Sequence, residues 1–462
     1  MKFIHSKITL IFVFLFLAIS VKADKVDDFV RSRLAERHIP GAAIAVIKNG
    51  KIVKTKGYGV ASVEFNVPVT TETVFEIGSV SKQITAAGIM LLVEDGKVNL
   101  DEKISKYLPN TPDSWKNVTV RNLLNHTSGI KSYSSLDGFE LSKRMKQADF
   151  IRTLAPQPLD FPTGTDYVYS NSGYSLLSYI IEFASGKNYW DFMRQRIFAP
   201  LEMNKTADRD FKFVIPNRAT GYEWQNNGLI GRDYNLTDLF GAGAIVSTIT
   251  DLAKWDLALQ NDTLLKKTSR EQMRTPLTFT NGKTYPYGLA FRFSEIRGHK
   301  LVAHSGQTAG FGASISRYVD DDLTVIALTN LGESGMGTLI AQGVAKFYIP
   351  AISLKMMPAK PDEAKITQTV NSALLERLEN KPSDTLFSAD LIKSLSTERA
   401  KANNLRIASL GAIKNLVFVG DEMSEGKKIY RYKAETAKRL FLWRFVFNSE
   451  GKVAEMTLEE EE

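Results

Sequence analysis

The stretch FEIGSVSKQITAAGIMLLVEDG, residues 75–96, contains the pattern that decides the fold of this chain. No proline interrupts the segment from Ser79 to Glu94, and its apolar side chains occupy nearly every side of a helix. A helix that is apolar almost all round belongs in a hydrophobic core, and Gly96 is a typical terminating residue. The stretch therefore predicts a buried helix that begins at a serine.

Ser79 and Lys82 have the spacing S-x-x-K at the start of this helix. Residues three apart share one face of a helix, so the lysine amine can reach the serine hydroxyl. A nucleophilic serine needs such a neighbour to take its proton. Three further pairs share the spacing, but each contains a glycine, which costs about 1 kcal/mol inside a helix; they are Ser128–Lys131, Ser424–Lys427 and Ser449–Lys452.

A lysine such as Lys82 is a poor base at neutral pH unless its pKa falls by about three units, equivalent to about 4 kcal/mol. The dipole of the helix contributes only roughly 0.3–1 kcal/mol near its N-terminus. Burial and polar neighbours must supply the remainder of the free energy that lowers the pKa of Lys82. The proposed chemistry therefore requires further residues from distant parts of the chain.

The composition excludes several classes of protein. The chain has 462 residues, 44% hydrophobic and 24% charged, which is typical of two or three globular domains. The absence of cysteine excludes disulfides, iron–sulfur clusters and thiol catalysis. The five histidines form no HExxH pair, which argues against a zinc hydrolase. A serine that is activated by a neighbouring lysine needs no metal and no organic cofactor, so we expect none. The net charge of +8 is dispersed, which argues against a nucleic-acid partner.

Residues 1–23 have the features of a secretory signal peptide. Lys2 and Lys7 precede the apolar run of residues 8–21, and a cleavage site follows near Ala23. This run is shorter than the roughly 20 residues that a membrane-spanning helix needs. We therefore predict a periplasmic or secreted protein with no stable membrane span after cleavage; the alternative is an uncleaved anchor.

Strand patterns occur at two distant parts of the chain. The run Gly41–Lys48 is followed by Asn-Gly at residues 49–50, a strong hairpin signal. Further strand patterns begin at residues 287–293 and end at residues 323–328. Helical patterns and loops separate them from the first strands. This order predicts an α/β (α+β) fold for residues 24–350, with an antiparallel sheet flanked by helices and a helical insert.

Prolines at 350, 358 and 361 predict a linker over residues 351–363. Residues 364–462 then show a helical pattern followed by strand patterns. Helices followed by an antiparallel meander indicate a small C-terminal α+β domain.

Three motifs, in this order, resemble those of the serine β-lactamase and penicillin-binding-protein superfamily: FEIGSVSK at 75–82, YSN at 169–171 and HSG at 304–306. The likeness is greatest to its class C β-lactamase, DD-peptidase, D-aminopeptidase and family VIII esterase branch. It extends over about residues 25–350 and implies a β-lactamase-like fold. The C-terminal domain resembles cystatin-like or NTF2-like modules.

The resemblance implies a role for each motif residue. Ser79 resembles the acylated nucleophile, and Lys82 and Tyr169 resemble the base system, with Tyr169 acting as a phenolate or through Lys82. The substrate would be bound by Asn171, which also orients Lys82, and by His304 and Gly306. The resemblance also implies an oxyanion hole, whose donors would be the backbone N–H groups of Ser79 and Gln307.

The third motif departs from the family pattern because His304 stands where many β-lactamases have lysine. A fixed cation for a β-lactam carboxylate is then missing or depends on protonation of the histidine. This favours a DD-peptidase, D-amino-acid peptidase or esterase that acts through an acyl-enzyme on peptidoglycan-derived peptides, esters or β-lactams. The alternatives are a class C-like β-lactamase and a non-turnover penicillin-binding or muropeptide-sensing protein. The pattern gives His126 no catalytic role and leaves the oligomeric state open.

Overall fold

The computed structural model describes residues 24–139, 145–210, 212–233, 237–361, 364–424 and 427–462. The predicted signal peptide, residues 1–23, lies outside the described residues, as do residues 362–363 at the end of the predicted linker. Within these described ranges, no helix has the length and apolar character needed to cross a membrane.

The α-helices of the described residues are α1 (Lys25–Glu36), α2 (Ser81–Glu94), α3 (Val120–Leu124), α4 (Gln147–Leu154), α5 (Asn171–Ser185), α6 (Tyr189–Met193), α7 (Ile249–Ala258), α8 (Lys267–Met273), α9 (Met336–Tyr348), α10 (Ala364–Leu378), α11 (Ala389–Leu395) and α12 (Glu398–Ala408). The predicted core helix corresponds to α2. A 3₁₀ turn, Gly78–Val80, precedes it and contains Ser79.

The strands are β1 (Gly41–Lys48), β2 (Lys51–Ser62), β3 (Val67–Pro68), β4 (Phe75–Glu76), β5 (Ala207–Asp208), β6 (Gly221–Gln225), β7 (Gly228–Arg232), β8 (Ile245–Ser247), β9 (Leu277–Thr278), β10 (Thr284–Tyr285), β11 (Arg292–Ile296), β12 (His299–Thr308), β13 (Phe311–Tyr318), β14 (Leu323–Thr329), β15 (Asn415–Ser424), β16 (Lys427–Glu435), β17 (Leu440–Phe447) and β18 (Val453–Glu461). The main sheet has the order β11-β12-β13-β14-β1-β2-β3. Its paired strands are antiparallel. The prediction of one antiparallel sheet built from two distant parts of the chain is confirmed.

One predicted strand is wrong in its bounds. The apolar pattern at residues 287–293 predicts a strand there, whereas β11 begins only at Arg292. Ala290 has a φ of 66°, in the left-handed region, which an extended strand does not allow. Tyr287 and Phe291 are nevertheless buried, so this segment is a buried loop rather than a strand.

Strand β1 lies between two hydrophobic layers, which explains its continuous apolar sequence. Successive side chains of a strand point to opposite faces. Ala43, Ala45 and Ile47 therefore contact the core formed with α2, α5 and the rest of the helical insert. Ala42, Ile44 and Val46 contact the second core, which contains α1 and α9.

The C-terminal strands form their own antiparallel sheet, in the order β15-β16-β17-β18. Helices α10, α11 and α12 contribute to a hydrophobic core with this sheet, in which Trp443 and Phe445 are buried. Ion pairs at the end of β18 connect this region to the N-terminal part of the protein. There, the Glu461 carboxylate lies 2.7 Å from Arg37 and 2.8 Å from Arg406 of α12.

We expect Glu461→Gln to destabilise the protein. The Glu461 side chain is 5% exposed and also lies 3.6 Å from Arg33, whose side chain is 3% exposed. Removing one partner of a buried ion pair leaves an uncompensated charge, so the free energy of unfolding should fall by about 3–5 kcal/mol, as measured by urea denaturation.

Glu398→Gln is the matched control, because the Glu398 side chain is 90% exposed in its pair with Lys401. An exposed pair contributes at most about 1 kcal/mol. Equal urea midpoints for the two variants would contradict the assigned role of Glu461.

Candidate active site

Ser79 is fixed by close contact between two backbone segments. A Cβ atom on Gly306 would lie 1.9 Å from the Ile77 carbonyl oxygen and 2.9 Å from the Ser79 nitrogen. A Cβ atom on Gly78, whose φ is 49°, would lie 2.7 Å from the Gln307 nitrogen. Side chains at these two glycines are therefore excluded, and Gln307 of β12 lies directly against the turn that contains Ser79.

Lys82 is completely buried, and its amine is surrounded by three oxygen atoms. The Nζ atom lies 3.0 Å from Ser79 Oγ, 2.8 Å from Asn171 Oδ1 and 2.6 Å from the Ala242 carbonyl oxygen. Burial lowers the pKa of Lys82 well below its ordinary value, because the charged form is poorly solvated there.

These contacts determine where the lone pair of a neutral Lys82 amine can point. The oxygens of Asn171 and Ala242 have no hydrogen to give, so they take the two N–H groups of the amine. Ser79 has a hydroxyl, which can act as the donor. The lone pair therefore faces Ser79, which is the arrangement that a general base requires.

Tyr169 lies beside the same two residues. Its hydroxyl is hydrogen-bonded to the Ser79 side chain, and its ring centroid is 4.9 Å from Lys82 Nζ. Burial raises the pKa of Tyr169 above its ordinary value, so the phenol stays protonated at neutral pH. Of the two alternatives that the sequence leaves open, the geometry favours a neutral Tyr169 that acts with Lys82 over a phenolate.

Asn171 owes its position to the start of α5. Its backbone N–H donates to Ser132 Oγ at 3.1 Å, and the next residue, Ser172, accepts a hydrogen bond from the Tyr133 N–H at 2.8 Å. These bonds attach the N-terminus of α5 to the loop before it. The amide of Asn171 can consequently hold Lys82 in place.

His304 lines the cavity in front of Ser79, but both of its ring nitrogens are engaged. Nδ1 lies 2.7 Å from the Ser305 carbonyl oxygen, and Nε2 lies 3.1 Å from the Tyr287 hydroxyl. Burial lowers the pKa of His304 to about 3. His304 is therefore neutral near pH 7 and offers no positive charge to a substrate.

The cavity has a volume of about 200 Å³ and brings Ser79, Tyr169, His304, Gly306 and Gln307 together. Lys82 and Asn171 lie behind Ser79, where they contact one another. The predicted site residues thus converge from the start of α2 and the turn before it, from the start of α5 and the loop before it, and from β12, although their sequence positions are far apart.

Sequence reasoning missed Arg292, which lines the same cavity. Its guanidinium lies 5.6 Å from the ring centroid of Tyr169 and 5.5 Å from that of Tyr287. Arg292 is exposed, and within the described residues it makes no ion pair with a carboxylate. A single arginine in a strand has no spacing signal, so nothing in the sequence pattern distinguishes it from other surface arginines.

Comparison with known proteins identifies a family for most of this chain. The Beta-lactamase family model matches residues 26–346. Penicillin-binding protein 4* of Bacillus subtilis (strain 168) is 32% identical over 322 residues, which are 65% of this chain and 70% of that protein.

Two solved structures illustrate the likeness of fold. The D-amino acid amidase from Ochrobactrum anthropi SV3, complexed with L-phenylalanine amide, has a TM-score of 0.60 and 27% identity over 71% of this chain and 97% of its own. The octameric penicillin-binding protein homologue from Pyrococcus abyssi has a TM-score of 0.63 and 23% identity over 95% of this chain and 98% of its own. The second likeness concerns the fold alone.

We expect Ser79→Ala to reduce hydrolysis by at least about a thousandfold, the scale on which loss of a catalytic serine acts. Initial rates with p-nitrophenyl acetate, together with covalent labelling by a fluorophosphonate, measure this effect. Ser449→Ala is the matched control, because Ser449 belongs to another S-x-x-K pair and lies in an exposed turn. Full turnover by Ser79→Ala would refute the proposed nucleophile.

The lowered pKa of Lys82 predicts the pH dependence of the reaction. The neutral amine is the active form, so kcat/KM should rise with pH and reach its plateau well below 10.5, the ordinary pKa of lysine. Lys82→Arg should be inactive, because arginine stays protonated. Lys452→Arg is the control and should keep the wild-type profile. A rate that still rises at the ordinary lysine pKa would contradict this assignment.

Proposed function

This chain belongs to the beta-lactamase family of serine hydrolases, and from that premise we propose that it is exported and cleaves amide or ester substrates that carry a free carboxylate. The observation that supports this substrate class is Arg292. Its positive charge lies on the wall of the cavity that contains Ser79, and the described residues provide no carboxylate to neutralise it. A guanidinium in this position suits a carboxylate, with which it forms strong charge-assisted hydrogen bonds.

In the proposed reaction, Ser79 attacks the carbonyl carbon while its proton passes to the neutral Lys82 amine. The backbone N–H groups of Ser79 and Gln307 stabilise the oxyanion, and one such donor contributes about 2.7–4 kcal/mol in a comparable enzyme. Tyr169 relays the proton from Lys82 to the leaving group. Water then hydrolyses the acyl-enzyme with the same residues as its base system.

We favour a D-amino-acid peptide as the substrate, with a carboxypeptidase-like cleavage of the DD-peptidase type. The likeness to a D-amino acid amidase supports a D-residue on the acyl side of the bond. Arg292 supports a carboxylate on the leaving-group side, which an amidase substrate lacks.

A class C-like β-lactamase is the second candidate, and the same arginine supports it. His304 is neutral and cannot bind the carboxylate of a β-lactam as a cation would. This absence favours peptides and esters over β-lactams. Arg292 can supply the missing cation, because β-lactams also carry a carboxylate that a guanidinium can bind. A non-turnover penicillin-binding or muropeptide-sensing protein would form the acyl-enzyme and fail to release it.

We also propose that residues 364–462 form an accessory domain beyond a linker at residues 351–363, and that residues 1–23 are a signal peptide cleaved near Ala23. The separate hydrophobic core of the C-terminal region supports the first proposal. The charged and apolar pattern before Ala23 supports the second.

A matched substrate panel tests the proposed function. The panel contains an acylated D-Ala-D-Ala peptide, the same peptide with a C-terminal amide, p-nitrophenyl acetate and nitrocefin. We expect the free acid to be hydrolysed faster than its amide, and Ser79→Ala to be inactive on both. Preferred hydrolysis of nitrocefin would support the β-lactamase, and stable penicillin labelling without turnover would support the sensor. Equal rates on the free acid and its amide would contradict carboxylate recognition.

We expect Arg292→Gln to raise KM for the free-acid peptide by about tenfold or more, because a charge-assisted hydrogen bond contributes about 1.5–3 kcal/mol. Hydrolysis of p-nitrophenyl acetate, which has no carboxylate, should change far less. Arg152→Gln is the control, since Arg152 lies in α4 with a side chain that is 77% exposed. A parallel loss on both substrates would show that Arg292 acts on structure rather than on recognition.

A further inference from the structure

A chain of buried hydrogen bonds begins at His304, which lines the cavity, and continues to two residues that do not. It consists of His126, Tyr287 and His304, which are 1%, 0% and 2% exposed. The Tyr287 hydroxyl lies 3.1 Å from His126 Nε2 and 3.1 Å from His304 Nε2. Sequence reasoning gave His126 no catalytic role, and Tyr287 was not considered for the site.

The partners at the His126 end fix the direction of the first bond. The backbone N–H of Ser170 donates to His126 Nδ1 at 3.1 Å, so that nitrogen carries no hydrogen. In the neutral ring, the hydrogen must then be on Nε2. His126 therefore donates to the Tyr287 hydroxyl oxygen.

The partners at the His304 end fix the second bond. The Ser305 carbonyl oxygen can only accept, so His304 Nδ1 carries the hydrogen and donates to it at 2.7 Å. Nε2 of the neutral ring is then an acceptor and receives the Tyr287 O–H. Tyr174 also contacts the Tyr287 hydroxyl, but it donates its own hydrogen to the Leu124 carbonyl oxygen at 2.7 Å.

The two ends of this hydrogen-bond chain belong to the second and third sequence motifs. Ser170 stands between Tyr169 and Asn171, and Ser305 precedes Gly306. The ring of His126 also packs against Tyr169, with centroids 4.3 Å apart. The chain of bonds therefore links the segment that contains Tyr169 and Asn171 to β12, which contains Gln307.

We propose that His126 and Tyr287 are positioning residues, which hold His304 as a neutral Nδ1–H tautomer and so set the spacing between Tyr169 and β12. The proposal rests on the serine-hydrolase chemistry of the family and not on the substrate proposed above. Its tests use p-nitrophenyl acetate or the wild-type protein without substrate. Failure of these tests is therefore distinguishable from failure of the carboxylate proposal.

The first test reads the tautomers directly by NMR of isotope-labelled histidine rings in the full chain at neutral pH. His126→Gln and His304→Gln assign the two ring signals. We expect His126 to carry its hydrogen on Nε2 and His304 to carry its hydrogen on Nδ1. An imidazolium or an Nε2–H tautomer at His304 would overturn the proposal, whatever the behaviour of any variant.

The second test removes the shared hydroxyl. Tyr287→Phe should lower kcat by about tenfold or more, as expected when buried polar groups lose their partner, with KM changed by less than about twofold. Adding His126→Gln should cause little further loss, because residues that act as one unit are not additive. Tyr285→Phe is the matched control, since Tyr285 stacks on Tyr167 outside this chain of bonds.

Two kinetic outcomes would contradict the proposal. Equal kcat values for Tyr287→Phe and Tyr285→Phe would show that the hydroxyl has no positioning role. Multiplied losses in the Tyr287 and His126 double variant would show that the two residues act independently.

Discussion

The burial of one amine, that of Lys82, governs the rest of the site. An ammonium group with no exposure is strongly disfavoured unless a carboxylate accompanies it, and Lys82 instead contacts a hydroxyl, an amide and a backbone carbonyl. This environment disfavours the charged form and lowers the pKa of the amine. The turn before α2, the start of α5 and the segment around Ala242 supply one oxygen each, so three separate parts of the fold enclose this nitrogen.

The sequence predicts local features of the site better than distant ones. Ser79 and Lys82 are evident from helix periodicity, because one turn brings them together. The partners of this pair, Tyr169, Asn171 and His304, depend on long-range packing that no periodicity encodes. They are identified through resemblance to a family. The structure then places Tyr169 and His304 on the wall of the cavity and Asn171 in contact with Lys82.

Other parts of the site have no signal in the sequence. Arg292 and Tyr287 are single residues without a repeated spacing, and the segment that contains Tyr287 has the apolar pattern of a strand although it is a buried loop. His126 lies in a polar stretch that suggests an exposed turn, yet it is almost completely buried. Its left-handed backbone, with a φ of 62°, turns the side chain into an environment that local sequence does not specify.

The contact between Gly306 and the Ile77 carbonyl oxygen has a consequence for protein engineering. Since a single methyl group at position 306 would overlap backbone atoms, no rearrangement of a side chain can accommodate it. A mutant library intended to change selectivity should therefore keep Gly78 and Gly306 constant. Diversity belongs at other residues that line the cavity, such as Ser334 and Thr338, where new side chains can reshape the cavity while the backbone contact between Gly306 and Ile77 stays intact.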